Sequence, residues 1–125
     1  MRDYRTPTAR VRGLGASGHA AGHWIGQRVS AIALFFVLPV FVYMLATSGA
    51  PDPAATRAFL ASPAGAIVTL LTLTAAFFHM RIGIQEIVED YIHKAGMKAV
   101  LLIGNTLLVL GLWLATVFAL VKLAL

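Results

Sequence analysis

Three long apolar runs decide what this chain can become. The first, Val29–Thr47, contains no charged residue. Coiled as a helix it rises about 28 Å, close to the ~30 Å hydrocarbon core of a bilayer. Pro39 lies in its middle and is expected to bend it, which neighbouring helices tolerate. The second run starts near Pro63, where Ser62-Pro63 offers a serine N-cap and a proline at the first helical position. It keeps a helical pattern to Tyr91, a length of about 43 Å, so one end must leave the apolar core. That end carries Glu86, Glu89, Asp90 and Tyr91, which belong near headgroups. The third run, Ala99–Val121, is interrupted only by Asn105, Thr106 and Thr116. Gly111, Ala115 and Ala119 recur along it every fourth residue, a small-residue face suited to helix packing. The expected fold is an all-α integral membrane protein, one domain over residues 1–125 with three transmembrane helices at about 29–47, 63–91 and 99–121.

Composition supports this. Hydrophobic residues make up 59% of the chain and charged ones 12%, against about 25% charged in soluble domains. The absence of cysteine excludes disulfides, thiolate metal sites, iron–sulfur ligation and cysteine nucleophiles within the chain. The net charge is +5, yet the basic residues form no patch with interleaved aromatics, so no nucleic-acid partner is expected. Arg2, Arg5, Arg10, Arg12 and Arg28 all precede the first run. Together with Lys94 and Lys98 between the second and third runs, they give a positive-inside topology. The N-terminus is then cytoplasmic, residues 1–28 are cytoplasmic or interfacial, and the C-terminus is periplasmic. A cleaved signal peptide ending near Leu45–Ala50 fits poorly, because both the leader and the apolar run are too long. The Arg-rich residues 2–12 suggest a mitochondrial presequence only weakly, since no separate amphipathic helix accompanies them. A bacterial inner membrane is therefore the expected location, ahead of the mitochondrial one.

The second run holds the informative polar residues. Gly83, Glu86 and Asp90 fall within about 40° of His79 on a helical wheel, so the four form one stripe. His79 lies about 16 Å below Asp90 along the axis, near mid-membrane. A neutral imidazole there can bind a metal through one nitrogen and donate a hydrogen bond from the other. Gly83, one turn away, leaves room for a flat macrocycle, so a haem axial ligand fits. An interhelical hydrogen bond accounts for a lone intramembrane histidine equally simply. With His19 and His23 before the first run and His93 in a connection, a second axial histidine would have to come from another chain. Arg81 is turned about 200° from His79, which leaves a partner subunit, a haem propionate or snorkelling toward headgroups as its roles. At the inward end, Tyr91 can donate to a quinone carbonyl and Asp90 can hold that hydroxyl. Taken on chemistry alone, an interfacial tyrosine and a helix-end acid explain both more simply. Arg28, at the mouth of the first run beside His23 and Trp24, is either a topology arginine or a guanidinium facing an anionic oxygen. Asn105 reads as an interhelical hydrogen bond.

The stretch His79-Met-Arg-Ile-Gly83-Ile-Gln-Glu86-Ile-Val-Glu-Asp90-Tyr91-Ile-His93-Lys94 resembles the signature of the hydrophobic membrane anchors of succinate dehydrogenase, complex II. There a histidine is followed by glycine at plus four and Asp-Tyr at plus eleven and twelve. His23-Trp24-Ile-Gly-Gln27-Arg28-Val-Ser30 resembles the family's entry into its first helix. The resemblance spans nearly the whole chain. It implies an assembly with a flavoprotein, an iron–sulfur subunit and a second anchor of the cytochrome b556 type, with FAD and the iron–sulfur clusters confined to the first two. By motif position it implies that His79 ligates a haem b shared with that second anchor. It likewise implies that Tyr91 and its neighbour Asp90 belong to a ubiquinone site, and that Arg28 lies near the quinone or a haem propionate. The chain would then belong to an enzyme of electron transfer without carrying the succinate-oxidising chemistry itself. Two rivals stand beside this reading: a fumarate reductase anchor working in the reverse direction, and a non-redox scaffold or transporter accessory subunit.

Overall fold

The computed structural model describes residues 6–8, 11 and 20–125. Arg2, Arg5, Arg10, Arg12 and His19 lie outside them. The described residues hold four main helices and no strand: α1 Ala20–Thr47, α2 Pro53–Ala61, α3 Pro63–Tyr91 and α4 Ala95–Ala124. Three of these, α1, α3 and α4, are long and apolar enough to cross a membrane.

The helices overrun the apolar runs. α1 begins at Ala20, well before Val29, and continues unbroken through Pro39. α4 runs from Ala95 to Ala124 rather than from Ala99 to Val121. The reason is physical: hydropathy marks where side chains meet hydrocarbon, whereas the backbone ladder stops only at a cap or a breaker. Nothing in Ala20–Arg28 breaks a helix, so the polar residues His23, Gln27 and Arg28 ride on α1. Arg28 is thus two turns inside a helix and not at its entry.

Two capped starts organise the first connection. The Asp52 side chain accepts a 2.8 Å bond from Ala55 N, and Pro53 opens α2. Ser62 Oγ accepts from Gly65 N at 3.0 Å, and Pro63 opens α3. Ser62 also closes α2, its backbone N–H donating to the carbonyls of Ala58 and Phe59. The turn is so tight that a β-carbon at Gly65 would collide with the Phe59 carbonyl oxygen. Phe59 is buried and meets Phe41 of α1 at 6.4 Å between ring centroids.

α3 is the central helix. α1 and α4 both pack along it and hardly touch each other. The α1 contact runs antiparallel: a β-carbon at Gly26 would come within 3.1 Å of Ile82, and Ser30 lies against His79. The α4 contact uses a different face. Trp113 Nε1 donates to Thr74 Oγ1 at 2.9 Å, and Asn105 Nδ2 donates to the Arg81 carbonyl at 2.9 Å. Asn105 is therefore the interhelical link its position suggests. Few side chains are buried among the described residues, and Val68, Thr69, Thr72, Ile82 and Val88 on α3 account for half of them. The remaining apolar surface of all three long helices points outward, as it must where lipid or another membrane chain is the solvent. The Gly111, Ala115, Ala119 face of α4 is part of that outward surface and is not used within the chain.

Candidate functional site

The site is built along the α1–α3 seam. His79 is half-buried, and its Nδ1 lies 3.0 Å from Ser30 Oγ of α1. Among the residues of α1 whose burial is described, Ser30 alone is buried, at 4% exposure. Its hydroxyl also reaches the Gln27 carbonyl one turn back, at 3.0 Å. One turn along α3, Gly83 faces the Gln27 amide, with 3.7 Å between Gln27 Nε2 and the position of a β-carbon. That is ordinary contact, so packing against α1 does not itself demand glycine there. Gln27 Oε1 is buried with no hydrogen-bond partner. Further toward the α3 C-terminus, His23 Nε2 lies 3.5 Å from Gln85 Nε2, the outer limit of a hydrogen bond. Gln85 in turn donates to Glu89 Oε1 at 2.7 Å.

Direction around α3 follows from these contacts. The residues meeting α1 centre on Phe78, Ile82 and Gln85. Those meeting α4 centre on Thr74 and Arg81. The stripe of His79, Gly83, Glu86 and Asp90 falls beyond the α1 contact, on the side away from α4. His79 and Gly83 are half-buried at the rim of the seam, whereas Glu86 and Asp90 are exposed. Tyr91 is 76% exposed. It borders a shallow concavity with Ile92, His93, Lys94 and Met97 at the turn into α4. Lys98 Nζ donates to the Glu89 carbonyl at 2.8 Å and ties that turn to the end of α3.

Arg28 and Arg81 turn away from the stripe. Arg28 stands over the Trp24 ring at 5.5 Å from its centroid, on the outer face of α1. The antiparallel register sets it close to the level of His79, about 15 Å deeper than Tyr91. Arg81 points to α4, where its Nε donates to Thr106 Oγ1 at 3.3 Å. The geometry thus separates two levels, His79 with Ser30 and Arg28 in mid-span, and Asp90 with Tyr91 at the α3 C-terminus. Sequence reasoning missed Ser30 and Gln27, which stand 49 and about 56 residues from their α3 neighbours.

Residues 2–121 match the sequence pattern of the succinate dehydrogenase/fumarate reductase transmembrane subunits. The chain belongs to that family. Relatives named succinate dehydrogenase hydrophobic membrane anchor subunit agree with it along most of their length. The protein of Rickettsia typhi is 24% identical over 101 residues, 81% of each chain. That of Paracoccus denitrificans is 26% identical over 99 residues, 79% of this chain and 77% of the relative. That of Rickettsia felis is 27% identical over 97 residues, 76% of this chain and 74% of the relative.

Proposed function

We propose that this chain is the hydrophobic anchor of a succinate dehydrogenase in a bacterial inner membrane, that His79 gives one axial ligand to a haem b, and that Asp90 and Tyr91 contribute to a ubiquinone site. The observation that carries the haem assignment is the place of His79: half-buried in mid-span, at the open rim of the α1–α3 seam, with the glycine of its own stripe one turn away. Among the described residues no three His, Cys, Asp or Glu side chains gather into a metal site. A single imidazole at an open rim is what a group ligated jointly with another chain requires.

Haem b, when bound, supplies a one-electron store within the membrane. This chain's own residues do the rest. His79 binds and orients. The apolar runs exclude water around it. Tyr91 donates its hydroxyl proton in a hydrogen bond to a quinone carbonyl oxygen, and Asp90 holds that end of α3 polar. Arg28, near the level of His79 and facing outward, offers a cation to an anionic group there such as a haem propionate, and lies too far from Tyr91 to serve the same quinone. The assembly this reading requires has a flavoprotein, an iron–sulfur subunit and a second anchor of the cytochrome b556 type. The same residues would serve a fumarate reductase, and the names of the relatives favour succinate.

The test is purification of the tagged chain from its native membrane in gentle detergent. Co-purification of a flavoprotein, an iron–sulfur subunit and a second small anchor, with a b-type haem spectrum, is expected. In His79→Ala the haem is lost or its low-spin bis-ligated spectrum is replaced. Unchanged haem ligation in that variant rules out His79, and emergence of the chain alone or with a permease rules out the whole reading.

A further inference from the structure

The Ser30 contact says more about His79 than its position does. Ser30 Oγ has one proton and two neighbours at 3.0 Å, the Gln27 carbonyl oxygen and His79 Nδ1. The carbonyl can only accept. With Ser30 4% exposed, water does not serve the hydroxyl. If the hydroxyl proton went to Nδ1, the serine and carbonyl oxygens would face each other at hydrogen-bond distance with no proton between them. Both contacts are hydrogen bonds only when Nδ1 carries a proton, donates it to Ser30 Oγ, and Ser30 donates to Gln27. The other ring nitrogen, Nε2, is then a bare lone pair.

We infer that Ser30 is a positioning residue: it holds His79 in the tautomer with Nδ1 protonated, sets the plane of the imidazole, and leaves Nε2 free as the metal-binding atom. The inference rests on the haem reading of His79 and adds the part that α1 plays in it. An acceptor for the Nδ1–H fixes the ring's orientation and raises the basicity of the ligating nitrogen. Here that acceptor is a hydroxyl whose own proton is committed to a backbone carbonyl, so it can only accept from the ring. The chain also makes α1 part of the ligand: a shift of α1 along α3 would break the bond and release the imidazole.

The experiment compares Ser30→Thr with Ser30→Val in the whole purified complex. The two side chains have nearly the same shape, and only threonine keeps the hydroxyl. Low-temperature EPR of the ferric haem and the optical α band of the ferrous haem are read on the assembled fraction, along with haem retained per flavin. Threonine is expected to keep the wild-type low-spin g values. Valine is expected to displace them and to weaken haem retention by about tenfold or more. Valine and threonine spectra that are both identical to wild type, or both displaced alike, overturn the inference. A lower yield of valine complex with a native spectrum also overturns it, because a packing role lowers assembly without altering ligation. His79→Ala keeps the two failures apart: if haem ligation survives there, the haem reading has failed, whereas loss there with a native Ser30→Val spectrum defeats the Ser30 inference alone.

Discussion

At the scale of single residues, the sequence displays those that interrupt a pattern and hides those that obey one. His79 is visible because an imidazole inside an apolar run is costly, and the stripe through Gly83, Glu86 and Asp90 is visible because helical spacing alone sets it. Ser30 reads as one more small residue tolerated in a span, since its partner is 49 residues away and only packing brings them together. Arg28 misleads in the opposite sense: it borders the hydrophobic run but lies inside a helix, at the level of His79 rather than of Tyr91. Tyr91 has the simplest test at this scale. Its ring is exposed and its hydroxyl forms no hydrogen bond among the described residues. Tyr91→Phe therefore costs the fold little, and any loss belongs to the ligand it meets. Quinone reduction by the complex should fall about 2- to 10-fold, the worth of one hydrogen bond. Succinate oxidation measured with a soluble dye should remain unchanged. Native quinone kinetics would remove Tyr91 from the site.

At the scale of elements, two helix starts share one chemical signal, and only one of them is easily read. Ser62-Pro63 stands before a long apolar run and is recognised at once. Asp52-Pro53 has the same form, an acceptor at the N-cap and a proline next, and it starts α2. The segment after it is short and not strongly apolar, so periodicity gives no support. What joins the two helices is Gly65, buried where α3 passes the carbonyl end of α2. Its lack of a β-carbon is required by contact with backbone, which cannot move aside as a flexible side chain would. Gly65→Ala must therefore prise α2 from α3, at a cost on the order of 1–3 kcal/mol despite alanine's better helix propensity. The expected readout is a lower melting temperature of the purified complex and protease sensitivity between residues 48 and 61. Gly104→Ala, where a β-carbon meets nothing within 4 Å, is the matched control and should leave both unchanged.

At the scale of the whole molecule, the chain is three membrane-length helices in which α3 is the centre and α1 and α4 are flanks, and such an arrangement fixes sidedness without deciding it. The antiparallel packing of α1 on α3 and the short link Ile92–Lys94 put the α1 N-terminus and the α3–α4 turn on one side, with α2 on the other. Lys94 and Lys98 mark the first side, and Asp52 and Arg57 mark the second. The positive-inside rule then predicts that the lysine side is cytoplasmic. Because the chain has no cysteine, single cysteines report sidedness against a silent background. His93→Cys leaves both lysines in place and sits in the turn, while Asp52→Cys sits in the α2 connection. In spheroplasts a membrane-impermeant maleimide should label the Asp52→Cys protein directly and the His93→Cys protein only after permeabilisation. The reverse result would place the C-terminal end of α3 outside. It would also move Tyr91 and Asp90 to the face opposite a cytoplasmic iron–sulfur partner, so the quinone assignment would fall together with the topology. Sidedness and chemistry are thus one question for this chain, since Asp90 and Tyr91 sit at the end of α3 that Lys94 and Lys98 mark.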